Sequence, residues 1–212
     1  MLEVLKNNLI LENGVVKPNE SLFLKLKSYN LTERRFIHSL SVAQLCYDVA
    51  VSNNLEDPLV YYVCGMLHDI GKATSDEESI EIIKKNFGEV DIPKCAYHAY
   101  VGVVIARDDF GINENEVLDA IKDHCLGNKD LSSFGKILYA CDKIDPKRGY
   151  DSQYMIDRML KDYKEGFVFV LHENLIHLSN KHNISPLDFV RTGNEYSKLC
   201  FESYLDLSEF EK

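Results

Sequence analysis

Residues 57–72 read Asp57-Pro-Leu-Val-Tyr-Tyr-Val-Cys-Gly-Met-Leu67-His68-Asp69-Ile-Gly-Lys72. Asp57 and Pro58 supply an N-cap and a first-turn proline. Residues 59–67 are then apolar on every side, the pattern of a helix buried all round. Such a helix needs other helices about it, and the flanking sequence supplies them. Over 33–51, Phe36, Leu40, Ala43, Tyr47 and Ala50 step by four and three along one helical face. Ser75 with Glu78 makes a capping box ahead of residues 80–87, which Gly88 closes. Pro93 opens a helix that runs to Phe110 and stops at Gly111; Asn113 with Glu116 is a second capping box, before Val117, Leu118 and Ile121. Phe134, Ile137, Leu138 and Cys141 form another apolar stripe, ended by Pro146. Helices are expected over 152–163 and 166–182, and Ser185-Pro186-Leu187-Asp188 caps a last one reaching Tyr204. No segment alternates apolar and polar residues long enough for a sheet. The expected fold is all-α: a compact bundle over residues 31–212, with residues 1–30 as an N-terminal extension packed on it.

The 212 residues are 45% hydrophobic and 27% charged, a balance that supports a packed core and excludes disorder. No apolar run approaches a membrane span. Residues 1–6 carry an acid and lack a basic-then-apolar layout, so the expected place is the cytoplasm. With 34 acids against 24 bases the net charge is −10, and no Lys/Arg cluster exceeds two adjacent residues. Wrapping of nucleic acid is therefore not expected. The same acidity repels anionic substrates unless metal ions invert the local sign. Six cysteines, at 46, 64, 95, 125, 141 and 200, include no CxxC pair, and most sit in apolar stretches. They read as reduced, buried small hydrophobes.

The chemistry starts where the buried helix ends. An imidazole and a carboxylate there are costly unless something pairs with them. His68–Asp69 has company: His38 on the inward face of its helix, His98 near the start of the 93–110 helix, His124 sharing a face with Val117 and Ile121, and Asp142 four residues after Leu138. Four histidines and two aspartates directed inward from five helices exceed what packing requires. The expected ligand set is imidazole and carboxylate without thiolate, which suits iron, manganese, cobalt, nickel or zinc and argues against a structural Cys-rich zinc site. Six donors suit one or two ions, the latter about 3.5–4 Å apart with Asp69 bridging. His172, His177 and His182 recur every five residues, which turns them off a common face and leaves them without a metal role. Arg34 reads as a solvated neighbour of Arg35.

The order His38 … His68-Asp69 … Asp142 resembles the H…HD…D signature of the HD-domain phosphohydrolases. Arg35-Phe-Ile-His38-Ser-Leu-Ser-Val, Leu67-His-Asp-Ile-Gly-Lys72, His98-Ala-Tyr-Val-Gly102, Ile121-Lys-Asp-His124 and Ala140-Cys-Asp142-Lys-Ile-Asp-Pro-Lys-Arg148 are together similar to the blocks of the YqeK family within it. That family consists of symmetrical bis(5′-nucleosyl)-tetraphosphatases, which cut diadenosine tetraphosphate into two ADP. The resemblance implies that His38, His68, Asp69 and Asp142 hold the principal ion. The metal would be divalent or mixed-valence, with iron expected ahead of manganese, cobalt, nickel or zinc. His98 and His124 would complete a second metal site or touch nucleotide phosphate. Asp69, Lys72 and Arg148 would form the catalytic set, the last two on phosphate. Cys125-Leu126-Gly127 departs from the family's Thr-Thr-Gly, and Ile184-Ser-Pro-Leu-Asp188 only partly matches its [HY]-P-D-T. By position, Cys125, Arg148, Ser185, Pro186, Leu187, Asp188 and Phe189 would lie near the nucleotide. The expected partner is a small-molecule nucleotide, with neither nucleic acid nor membrane, and a homodimer is open. The alternatives are an HD phosphohydrolase for another nucleotide and a metal-nucleotide sensor without rapid turnover.

Overall fold

The computed structural model describes residues 2–211. Its central helix is α4 (Pro58–Leu67), in which every residue over 60–67 is buried. The chain reaches it through α1 (Leu2–Lys6), a hairpin of β1 (Leu9–Glu12) and β2 (Val15–Pro18), α2 (Glu20–Lys27) and α3 (Glu33–Ser52). It continues through α5 (Asp76–Phe87), α6 (Tyr97–Asp108), α7 (Asn115–Asp123), α8 (Ser133–Ile144), α9 (Gln153–Lys161), α10 (Tyr163–His182), α11 (Pro186–Thr192) and α12 (Glu195–Tyr204). Short 3-10 turns occupy Ile70–Ala73, Lys94–Ala96, Pro146–Arg148 and Leu207–Phe210.

The most extensive helix pairing is α3 against α4. A Cβ on Gly65 would stand 2.5 Å from Ala43 Cα and 2.7 Å from Ala43 N, so the absence of a side chain permits this approach. Gly71 has the same use one turn on, where a Cβ would run into the His98 carbonyl and stand 2.9 Å from Gly102 N. These two contacts bring α3, the end of α4 and α6 together. Around them Val42, Val49, Val63, Leu67, Ile121, Ile137, Leu138 and Phe167 belong to one hydrophobic core. Each such side chain contributes about 1.5–3 kcal/mol on burial.

Several boundaries differ from the sequence reading. Residues 9–18 form an antiparallel hairpin, pairing Leu9 with Pro18 and Glu12 with Val15, where no sheet was expected. Asn13 (φ 52°) and Gly14 (φ 80°) make its turn, both in the left-handed region that two-residue hairpins need. Gln44 on α3 fastens it, accepting from Val16 N–H at 2.8 Å and donating to Gly14 O at 3.0 Å. Leu2, Leu5, Val16, Leu22 and Leu26 join the same core as α3 and α4. Asp57 makes no cap; its φ is 49° and its carboxylate takes Lys6 instead, leaving Pro58 to start α4. Asn113 does not cap α7: the Glu114 side chain accepts its N–H, and the helix begins one residue later. The helix expected to open at Pro93 starts with a 3-10 turn and becomes α-helical at Tyr97. The last expected helix breaks at Gly193, and Asn194 caps a separate α12. The Ser75 cap forms as read, accepting from Glu78 N–H at 3.2 Å. Among the described residues no helix is long and apolar enough to cross a membrane.

Candidate metal centre

Five helices deliver the six side chains to one place. His38 comes from α3, His68 and Asp69 from the end of α4, His98 from the first turn of α6, His124 from the end of α7 and Asp142 from α8. His68, Asp69, His98, His124 and Asp142 are all buried. His38, His68 and Asp142 offer ligand atoms within 4.8 Å of one another, and so do His68, Asp69 and His124. Asp69 thus groups with His124 rather than with His38. Its Oδ1 lies 3.2 Å from His98 Nε2 and 3.5 Å from both His68 Nε2 and His124 Nε2, a position between the two halves of the cluster.

Three of the rings are held by their outer nitrogen. His68 Nδ1 donates to Gly65 O at 2.6 Å and His124 Nδ1 to Ile121 O at 2.7 Å, each one helical turn back. His38 Nδ1 donates to Asp145 at 2.6 Å. With Nδ1–H engaged, Nε2 of each ring points to the centre, the arrangement that partners outside a metal's ligand set impose.

Whether these residues fit a metal can be tested on His68 Nε2, a buried atom with no hydrogen-bond partner. Burial, the largest influence, lowers the His68 pKa to about 4, so the ring is neutral near pH 7. Its free lone pair then faces Asp69 Oδ1 at 3.5 Å and Asp142 Oδ1 at 3.7 Å. A lone pair against two carboxylates is repulsive unless a cation sits among them, so the donor set fits a metal ion. Burial works to raise the Asp69 and Asp142 carboxyls. His68, His124 and His98 around the first, and Lys143, His38 and His68 around the second, hold them well below the usual range instead. Burial also lowers His38, but hydrogen bonds to Asp142 and Asp145 outweigh it and raise the ring to about 9.

Two residues at the centre carried no role in the sequence reading. Asp145, fully buried, grips His38 with Oδ2 and takes the Ser41 hydroxyl on Oδ1 at 2.6 Å. Lys143 donates to Asp142 Oδ2 at 2.9 Å and to His124 O at 3.0 Å. The available signal was the spacing after Asp142, where a second acid follows three residues on. Asp145→Asn is expected to keep the fold and weaken metal binding by about 10–100-fold, measured by titration of the metal-free protein. Unchanged affinity would remove Asp145 from the centre.

The cysteine expectation needs correction. Cys46, Cys64, Cys141 and Cys200 are buried, but Cys95 is exposed and the Cys125 thiol reaches His98 and His124. The end of α7 aims residue 125 at the centre.

A cleft of about 770 Å³ opens on the centre, lined by His38, Asp69 and Asp145 together with Arg34, Arg35, Lys72, Lys147 and Arg148. Arg34 therefore faces the cleft with Arg35 and is more than a solvated neighbour. Lys72 Nζ stands 3.7 Å from Asp69 Oδ1, and Arg148 donates to Asp142 Oδ1 at 2.5 Å. A second cleft of about 580 Å³ shares Arg148 and is lined by Lys143, Tyr150, Tyr154, Asn174 and His177. Residues 185–189 line neither. Ser185 caps α11 by accepting from Asp188 N–H at 3.1 Å, Pro186 and Leu187 open that helix, and Phe189 packs on Phe201. His172 stacks on Phe210, His182 lies against Phe189, and neither they nor His177 join a metal-capable group among the described residues.

The HD domain family matches residues 35–147, more than half of the chain and the whole of the cluster. The chain belongs to the HD-domain family. The enzyme class is that of the HD hydrolases. The symmetrical bis(5′-nucleosyl)-tetraphosphatase of Halalkalibacterium halodurans is 26% identical, over 87% of this chain and 98% of its own length. A probable nicotinate-nucleotide adenylyltransferase/Ap4A hydrolase of Mycoplasma genitalium is 28% identical over 68% of this chain. Its counterpart in Mycoplasma pneumoniae is 31% identical over 66%. The chain spans only 44% and 43% of the length of those two mycoplasmal relatives. The HD fold recurs in a crystal structure from Clostridium acetobutylicum described as a predicted HD superfamily hydrolase involved in NAD metabolism. There the TM-score is 0.72 at 23% identity, over 86% of this chain and 96% of that one.

Proposed function

We propose that this chain is a metal-dependent hydrolase of dinucleoside tetraphosphates, cutting diadenosine tetraphosphate symmetrically into two ADP. The observation that carries the reading is the meeting of a metal-capable His/Asp cluster with five cationic side chains on one cleft of an acidic chain. The relatives named symmetrical tetraphosphatase or Ap4A hydrolase support the choice of substrate. His38, His68, Asp69 and Asp142 would hold the principal ion, and His98 with His124 a second.

Bound there, divalent metal supplies Lewis acidity and a water deprotonated at neutral pH. The protein's own part is electrostatic and positional. Arg34, Arg35, Lys72, Lys147 and Arg148 draw in a polyphosphate chain and offset its charge as the bridging P–O bond breaks. Arg148 serves both clefts, so the nucleoside of one half fits beside it, where Tyr150 and Tyr154 offer exposed rings for a base. The leaving ADP is a stable anion and needs little general-acid help.

Chromatography of the products formed with iron(II) or manganese(II) tests the reading. ADP alone is expected; ATP plus AMP, or no turnover with metal bound, would overturn it. Lys72→Ala is expected to lower kcat by about 100-fold, because its ammonium acts on phosphate oxygens beside Asp69. A second reading, a different nucleotide as substrate, is favoured by Cys125, which stands where the family pattern has threonine. Ranking kcat/KM over a panel of nucleotides separates the two.

A further inference from the structure

The Cys125 thiol is part of a cluster. Its Sγ lies 3.3 Å from His98 Nε2 and 3.4 Å from His124 Nε2, and the two imidazole nitrogens are 3.2 Å apart. An ion bonded to two imidazoles at 2.0–2.1 Å and one thiolate at 2.3 Å sets its donors roughly 3.2–3.6 Å apart. All three edges of the triangle meet that requirement. Hydrogen bonding does not account for it equally well: a thiol has one proton, and His124 already commits Nδ1–H to Ile121 O. Asp69 Oδ1 also stands near the two imidazoles, at 3.2 Å from His98 and 3.5 Å from His124.

We propose that Cys125 is a thiolate ligand of the second ion, which makes that ion's site His98, His124 and Cys125 with Asp69 shared between the two ions. This rests on the metal-centre reading and adds to it a sulfur donor that the threonine of the family pattern would not provide. Sulfur makes the second site softer than the first, so it selects zinc, cobalt(II) or iron over manganese and magnesium. The two sites then differ in the metals they keep.

Anaerobic titration of the metal-free protein with cobalt(II) tests this by absorption. A sulfur-to-cobalt charge-transfer band in the near ultraviolet is expected to grow with the second equivalent. C125S is expected to retain the first equivalent and its visible bands, lose the charge-transfer band, and bind the second equivalent at least about tenfold more weakly. Two bound cobalt ions without the band, or a band that persists in C125S, would overturn the thiolate ligand and leave the metal-centre reading standing. Failure to bind cobalt at all would overturn both. The wild-type protein gives an answer that needs no variant: zinc should protect Cys125 from iodoacetamide while exposed Cys95 is alkylated at an unchanged rate. Equal alkylation of Cys125 with and without zinc would count against the proposal.

Discussion

Asp142→Asn is expected to lower kcat/KM for the proposed nucleotide substrate by roughly 1,000-fold or more and to leave the protein folded. The size follows from how many groups converge on that carboxylate. Oδ1 stands 3.1 Å from His38 Nε2, 3.7 Å from His68 Nε2 and 2.5 Å from the Arg148 guanidinium, while Oδ2 takes Lys143 at 2.9 Å. An amide of the same shape keeps the packing but removes the charge that balances three cations, and its NH₂ points at donors. The principal site would lose a ligand and Arg148 its anchor together. Lys143 and Arg148 are only partly buried, so they can turn to water, and the cost in stability stays small beside the cost in activity. Metal analysis paired with steady-state kinetics checks this. An Asp142→Asn protein with wild-type metal content and rate would refute the place given to Asp142.

Gly65→Ala is expected to destabilise the fold by about 3 kcal/mol, lowering Tm by roughly 10 °C. The added methyl meets backbone, since Ala43 Cα and N would lie 2.5 and 2.7 Å from it, and α3 cannot yield as a flexible side chain would. The helices must separate. His38 rides on α3 and His68 ends α4, with ring centroids 5.3 Å apart, so separation also widens the space between two donors. Gly65 O is moreover the acceptor that orients His68. Thermal melting with and without metal is the measurement, and metal should rescue Gly65→Ala less than it stabilises the wild type. A melting point within about 2 °C of wild type would mean that the helix contact is looser than described.

The helical bundle was legible because its strongest signal is local. Residues 59–67 have no polar face, and a helix of that kind can only be central. The hairpin was not legible for the opposite reason. Residues 9–12 are largely exposed and do not alternate, and Val15–Pro18 is too short for its alternation to register. Asn13-Gly14 marked the turn, but what completes the hairpin is Gln44, reached across 28 residues. The centre divides in the same way. Histidines on apolar faces could be picked out one by one, whereas Asp145 acquires its role only from His38, 107 positions earlier. Resemblance alone puts Cys125 near the nucleotide, and its contact with two imidazoles follows from where the end of α7 turns it. For residues 185–189 the structure shows a helix cap and a ring contact, Ser185 capping α11 and Phe189 on Phe201, the second of which position in the sequence alone did not indicate.

The charge around the first cleft has a consequence for how a ligand arrives. Five cations gathered at one mouth leave the rest of the surface more acidic than the net −10 suggests. A polyanion is turned away over most of the molecule and drawn in at a single point, so it is oriented before it makes contact. Smaller anions released by the proposed cleavage would leave into the same repelling field, which discourages their return. Dissolved salt weakens both effects over a Debye length of about 10 Å at 0.1 M. Ionic strength should therefore govern the rate of capture, and leave bond cleavage within the cleft comparatively untouched.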